Sequence, residues 1–333
     1  MPPPPSASDR EAQLGLRHST VGIRRKFTDA LVPCLAYLSG MTDVTDTSDA
    51  RATQSERAER AREFPSVFAD VLCAVDGSPG GFSAVEQAAS LIGPGGHMTL
   101  LAVTSFRSSG AYRSPAIGPL RTKEILDRAV QIADDARVTT TVDVDPATPP
   151  ADVILEWAAR HDLLAMGAPT TPWLGGMLGG GPTAAALGSL ITPLLVARSA
   201  QAAGIPAGPI LVASDGLEGS DQLVEFATRL AQAQGAGAHL LHATGHGSKR
   251  RHHRIAEQAQ RLERDLGKAG DARIEAGRAQ AMIVESAREV DSPLVVMSSR
   301  RRHGPRTIGS VSRRVVHNAA CSVLLVPPEH LQA

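Results

Sequence analysis

Aromatic side chains are scarce in this chain: Phe, Trp and Tyr together make up 3% of its 333 residues. Its cores must therefore be built from Val, Leu, Ile and Ala. Neither sign of charge prevails, since 34 Lys and Arg balance 34 Asp and Glu, and a zero balance argues against the broad basic footprint of a nucleic-acid-binding surface. The three cysteines, Cys34, Cys73 and Cys321, are an odd number without metal-type spacing. They read as small buried hydrophobes in a protein of the reducing cytoplasm. Long apolar runs are missing as well. The stretch from Ala30 to Leu38 follows Arg24-Arg25-Lys26 but is short, contains Pro33 and lacks a small-x-small cleavage site, so it is neither a signal peptide nor a membrane span. There is no GxxxxGK[ST] loop, GxSxG elbow, HExxH or CxxC pair, nor a paired acid and base, and no catalytic residue is assigned.

What is present is a repeat. Cys73-Ala74-Val75-Asp76-Gly77-Ser78 recurs as Val212-Ala213-Ser214-Asp215-Gly216, with 215 − 76 = 139. The apolar run Leu163 to Met166, followed by Gly167, a glycine-rich stretch to Gly179-Gly180-Gly181, a helix and the run Pro193 to Val196, recurs near the end. There it reads Leu294 to Met297, a basic stretch, Gly309-Ser310, a helix from about Val311 to Asn318, and Ser322 to Val326. The offset between Met166 and Met297 is 297 − 166 = 131. Agreement at the first and last strands indicates two tandem copies of one domain. With 42% hydrophobic and 20% charged residues, each copy has the composition of an ordinary globular domain.

Within each copy, apolar runs alternate with segments of helical period, which predicts five strands, four helices and a doubly wound parallel sheet. In the first copy the helices are expected near Ser83–Ile92, Thr122–Ala136, Ala151–Arg160 and Thr183–Leu190. In the second they are expected near Asp221–Gln234, Arg254–Gly267, Ala279–Arg288 and Val311–Asn318. Three regions follow: a mostly disordered extension over 1–65, rich in Pro, Ser, Asp and Arg; a first domain over 66–199; and a second over 209–328. The linker from Ser199 to Gly208 is made of Ala, Gln, Gly and Pro.

This ordered set, an acid-glycine turn after the first strand and a glycine loop before the last helix and strand, in both halves, resembles the tandem form of the universal stress protein family. The resemblance covers about residues 66–328. It implies an adenine nucleotide alpha hydrolase-like fold with strand order 3-2-1-4-5, and ATP as ligand, more so in the first domain. It also implies a regulatory or protective role in the stress response rather than turnover, and pairing of the two domains through their edge strands, with homo-oligomers as a further expectation. The site residues it implies are Asp76, Val103, Met166, Gly167, Thr170, Gly179, Gly180 and Gly181 in the first domain, and Asp215, Gly309 and Ser310 in the second.

The residues leave two alternatives open. An acid at the carboxyl end of strand one can accept hydrogen bonds from a ribose or an adenine amino group, or simply close its own turn. The family's phosphate loop, G-2x-G-9x-G-[S/T], is altered in both halves. Thr170 replaces the second glycine of the first copy, whose closing hydroxyl, Thr183, is displaced. In the second copy Ser298 and Arg301 stand where two glycines belong, although Gly309-Ser310 is intact and Arg300, Arg301, Arg302 and Arg306 lie nearby. The alternative to nucleotide binding is therefore an interaction module of the same fold. His239, His242 and His246 run along a strand with no companion acid or cysteine, and no metal site is assigned to them.

Overall fold

The computed structural model describes residues 67–92, 95–104, 119–145, 149–168, 182–189, 191–198, 208–217, 219–244, 249–266, 272–299 and 309–331. The sequence expectations for 1–65, for Thr170, for Gly179 to Gly181 and for the basic stretch from Arg300 to Arg306 lie outside them. In the first half the elements are β1 (Asp70–Ala74), α1 (Pro79–Ile92), β2 (His97–Val103), α2 (Pro119–Asp135), β3 (Thr139–Asp145), α3 (Pro150–Ala158), β4 (Leu163–Gly167), α4 (Pro182–Gly188) and β5 (Leu194–Ala197). The second half supplies β6 (Ile210–Ala213), α5 (Ser220–Gln234), β7 (Ala238–Thr244), α6 (Lys249–Leu266), β8 (Ala272–Ala276), α7 (Ala279–Glu289), β9 (Leu294–Ser298), α8 (Ser310–Asn318) and β10 (Ser322–Val326). A turn of 3-10 helix, Pro328–Leu331, follows.

Each half has the expected order 3-2-1-4-5, and the two sheets run on into one of ten strands: β3-β2-β1-β4-β5-β10-β9-β6-β7-β8. Within each half neighbouring strands are parallel. At the seam β5 and β10 pair antiparallel, with Leu195 opposite Leu324. Both seam strands are buried along their whole length. The outer strands β3 and β8 are partly open to water, and this is why their sequences mix polar residues with Val and Ile.

The strands separate two apolar layers. One lies under α1, α2, α5 and α6, with Ala84, Ala88, Ile125, Leu126, Leu223, Ala227, Ile255 and Leu262 buried in it. The other lies under α3, α4, α7 and α8, with Ile154, Leu187, Ile283, Val315 and Val316. Two helices begin four or more residues earlier than their apolar period suggests. The first, α1, starts at Pro79 because Ser78 caps it: the hydroxyl oxygen accepts the Gly81 N–H at 3.0 Å, and Pro suits the first helical position. Residues 249–254 also belong to α6, although a run of cations with no acid in its first turn opposes the helix dipole.

Candidate functional site

In both halves the turn after the first strand is built on a glycine in the left-handed region, Gly77 at φ 76° and Gly216 at φ 65°. A side chain there would also meet a helix, since a Cβ at Gly77 would lie 2.5 Å from Ile125 and one at Gly216 3.3 Å from Ile255. The preceding acid closes the turn. Asp76 Oδ1 accepts from the Ser78 N–H at 2.9 Å and the Ser78 hydroxyl at 2.6 Å, and Asp215 Oδ1 accepts from the Leu217 N–H at 3.0 Å. Asp76 is exposed, and its Oδ2 has no partner among the described residues.

Strand register brings Asp76 to the other expected residues. Cys73 pairs with Ala165 and Ala74 with Leu101, so Asp76 stands level with Ala168, just past Gly167, on one side and with Val103 on the other. The contact with β4 is made through backbone: a Cβ on Gly167 would fall 2.6 Å from Gly80 C and 2.8 Å from Gly81 N. In the second half Ala213 pairs with Met297, which sets Asp215 level with Ser299.

Of the remaining expected residues, Met166 is 4% exposed and packs in the core beneath α3 and α4. Only its backbone faces the end of the sheet, because alternation along β4 turns the side chain into the layer below. Val103 is half-buried against the same cluster. Gly309 precedes α8 in extended conformation, φ −65° and ψ 153°, and Ser310 opens the helix exposed to water. Thr183 comes closer than its position in the motif suggests: from the first turn of α4 its hydroxyl donates to the Gly167 carbonyl at 3.1 Å.

Beneath the acids the two halves have diverged. In the first, Val75 is buried and the Arg128 guanidinium lies 4.3 Å above the Phe82 ring. In the second, Ser214 stands in the place of Val75, and Asp221 and Gln258 in those of Phe82 and Arg128 (221 − 82 = 139; 258 − 128 = 130). Gln258, 1% exposed, accepts from the Ser214 hydroxyl at 2.8 Å and donates to Ser220 Oγ at 2.8 Å and Asp221 Oδ1 at 2.6 Å. His242 donates from Nδ1 to the Ser214 carbonyl at 2.9 Å. A cluster with each member bonded fixes its surroundings. Sequence reasoning passed over Gln258 because a single Gln on a long polar helix carries no signal of burial. His239 and His242 lie on β7, and among the described residues no group of three or more His, Cys, Asp or Glu forms a metal set.

Titration follows burial. Desolvation, with the Asp76 carboxylate adding to it, holds the Cys73 thiol far above its ordinary value, so Cys73 is an inert core residue. His317, near the end of α8, is held below its ordinary 6.5, by burial first and then by the Arg198 and Arg313 guanidiniums. The unfolded chain then binds the proton at higher pH than the folded one. Stability contributed by the neutral ring is complete above the ordinary value and is lost as pH falls through the lowered one. The urea midpoint is expected to drop as pH falls below the ordinary histidine value of 6.5, and His317→Gln to remove that part of the drop; an unchanged pH profile in the variant would contradict the assignment.

The fold and the two acid-glycine turns define a tandem α/β protein of the adenine nucleotide alpha hydrolase-like class. The model of the universal stress protein family matches residues 68–198 and again 207–327, and the chain belongs to that family. Among solved structures it is similar to a universal stress protein from Archaeoglobus fulgidus DSM 4304, with 20% identity, TM-score 0.62, and coverage of 78% of this chain and 96% of that one. It is also similar to a functionally unknown protein from Pseudomonas aeruginosa PAO1, with 17% identity, TM-score 0.58, and coverage of 80% and 95%. No curated protein matches the chain. No helix among the described residues is long and apolar enough to cross a membrane.

Proposed function

We propose that the first domain binds an adenine nucleotide such as ATP, and that the protein acts through binding, in a regulatory or protective stress-response role, rather than through turnover. The observation that carries this reading is the Asp76 carboxylate. One oxygen is committed to its turn, the other is open, and the pair stands at the carboxyl end of β1 against the backbone junction of Gly80, Gly81 and Gly167. In a doubly wound sheet that junction is the switch point where ligands lie. An acid there suits ribose hydroxyls or an adenine amino group, and a junction without side chains lets backbone approach a ligand closely. Val103 and the backbone of Met166 and Gly167 would border the base and sugar. The second domain, with Asp215 above a hydrogen-bonded cluster centred on Gln258, serves as the structural and interaction partner of the first.

Calorimetric titration of the full chain with ATP tests this. Asp76→Ala is expected to weaken binding by about 2–3 kcal/mol, the scale of hydrogen bonds to a charged group, whereas Asp215→Ala leaves it within about 0.5 kcal/mol. Unchanged affinity in Asp76→Ala, with the fold intact by circular dichroism, would remove the acid from the site.

A further inference from the structure

The Asp76 turn of the first domain and the last helix of the second are joined through Arg198, the first residue after β5. Two routes lead to it from that turn. One runs along α1. The Ser78 hydroxyl donates to Asp76 Oδ1 at 2.6 Å and accepts the Gly81 N–H at 3.0 Å, which fixes the start of the helix. Further along it the fully buried Gln87 donates from Nε2 to the Arg198 carbonyl at 3.0 Å. The other route crosses the sheet: Gly167 packs on the Gly80-Gly81 backbone, and the next residue, Ala168, donates its N–H to the Ala197 carbonyl at 2.8 Å.

From Arg198 the links pass into the second domain. Its backbone N–H donates to Ser322 Oγ at 3.0 Å, at the start of β10, and its guanidinium donates to the Val316 and His317 carbonyls in the last turn of α8. Carbonyl, N–H and side chain thus go to three different elements: α1, β10 and α8. The cation also suits a helix C-terminus. From there α8 runs back to Gly309-Ser310, the intact part of the second domain's glycine motif. No equivalent link starts from the second domain. With the offset of the seam strands, 324 − 195 = 129, Pro327 stands at the place of Arg198. It has neither N–H nor cation, and its carbonyl accepts the nearby His330 N–H at 3.0 Å. Phe226 stands at the place of Gln87 (226 − 87 = 139) and has no amide to donate. The fold itself therefore does not require these bonds.

We propose that Arg198 couples nucleotide binding in the first domain to the order of α8 in the second. A ligand that restrains the Asp76 turn and the Gly167 junction steadies Arg198 along both routes, and the guanidinium steadies the end of α8. The proposal rests on nucleotide binding at Asp76 and gives that site a readout on the far side of the seam. Its links are hydrogen bonds and packed backbone, the contacts through which sites bias one another. Binding that orders one end of such a chain lowers the cost of ordering the other, and the coupling is reciprocal: loosening α8 weakens nucleotide binding by the same factor.

The test is deuterium exchange of the full chain with and without ATP, occupancy being followed by calorimetry. ATP is expected to slow exchange of the α8 amides about threefold or more, and that of α6 by less than about 1.5-fold. Helix α6 is the control because it lies in the same domain and shares no hydrogen bond with Arg198 among the described residues; stabilisation of the whole chain by mass action would slow both helices alike. Arg198→Met keeps the backbone bonds to Gln87 and Ser322 and removes the guanidinium. It should bind ATP within about fivefold of wild type and lose the difference between α8 and α6, and Arg198→Lys should restore part of that difference. If the wild type binds ATP and α8 slows no more than α6, or if Arg198→Met keeps the wild-type difference, the proposal is overturned while nucleotide binding stands. Should Arg198→Met fail to fold by circular dichroism, the wild-type comparison of α8 with α6 decides alone. If the wild type binds no ATP, the nucleotide reading fails and takes this proposal with it.

Discussion

Gly167→Ala is expected to destabilise the folded chain by about 3 kcal/mol, the range of substitutions that force packed backbone apart. The added methyl would sit 2.6 Å from Gly80 C, 2.8 Å from Gly81 N and 3.0 Å from Gly80 O. All three are main-chain atoms, so no rotamer change relieves the overlap, and α1 must withdraw from β4. That helix carries Ala84, Val85, Ala88 and Ala89, all buried in the layer above the sheet, so withdrawal opens the core. Gly188→Ala is the control, because a Cβ there meets nothing within 4 Å; it should be neutral within about 0.5 kcal/mol. Urea denaturation of both variants checks the expectation, and a Gly167→Ala midpoint equal to wild type would refute it. The same change should abolish nucleotide binding, since the displaced α1 carries the turn of Asp76 with it.

Gly167 also illustrates what the sequence made legible and what it did not. As the first glycine of a loop motif it was assigned to a ligand; the structure gives it a second reason, the passage of one backbone against another. The tandem repeat and the alternation of strands and helices could be read from offsets and periodicity, which lie along the chain itself, whereas the order 3-2-1-4-5 came only with the resemblance to the family. The helix expected from Ser83 leaves out Gly80-Gly81, which lie in the first turn of α1, where Ser78 caps the helix and the missing side chains admit β4. Met166 stands in the motif, yet its side chain packs into the layer below the sheet, so only its backbone is left at the carboxyl edge. The merging of two sheets into one was carried by no motif. Apart from the pairing of edge strands that the resemblance implied, its trace was that the last strand of each copy is apolar but for Ser322 and buried throughout, whereas the opposite edges are mixed. Arg198, Gln87 and Gln258 escaped for a common reason: each acts through partners more than 35 residues away in sequence.

Gln87→Ala should cost about 3–4 kcal/mol, from two stranded polar groups at about 1 kcal/mol or more each and the cavity left by the side chain. Gln87 is fully buried on α1. Its Nε2 donates to the Arg198 carbonyl at 3.0 Å, and its Oε1 accepts from the Ser322 hydroxyl at 2.6 Å. Ser322, also fully buried, accepts in turn from the Arg198 N–H at 3.0 Å. Three residues thus satisfy one another across the seam, Gln87 and Arg198 from the first domain and Ser322 from the second. The corresponding position in the second half is Phe226 (226 − 87 = 139), which instead packs edge-on to Phe68 with ring centroids 5.9 Å apart. The seam therefore has one polar flank and one aromatic flank. A first domain pairing with another copy of itself would bring Pro193 to the place of Ser322 (322 − 129 = 193), and Pro has no hydroxyl to offer Gln87. The polar flank favours pairing within the chain over pairing of like halves, as buried polar groups do where they fix register. A double-mutant cycle with Ser322→Ala, read by urea denaturation, should return a coupling energy of about 1 kcal/mol or more. Additive effects of the two substitutions would show that the contact contributes packing alone and selects no partner.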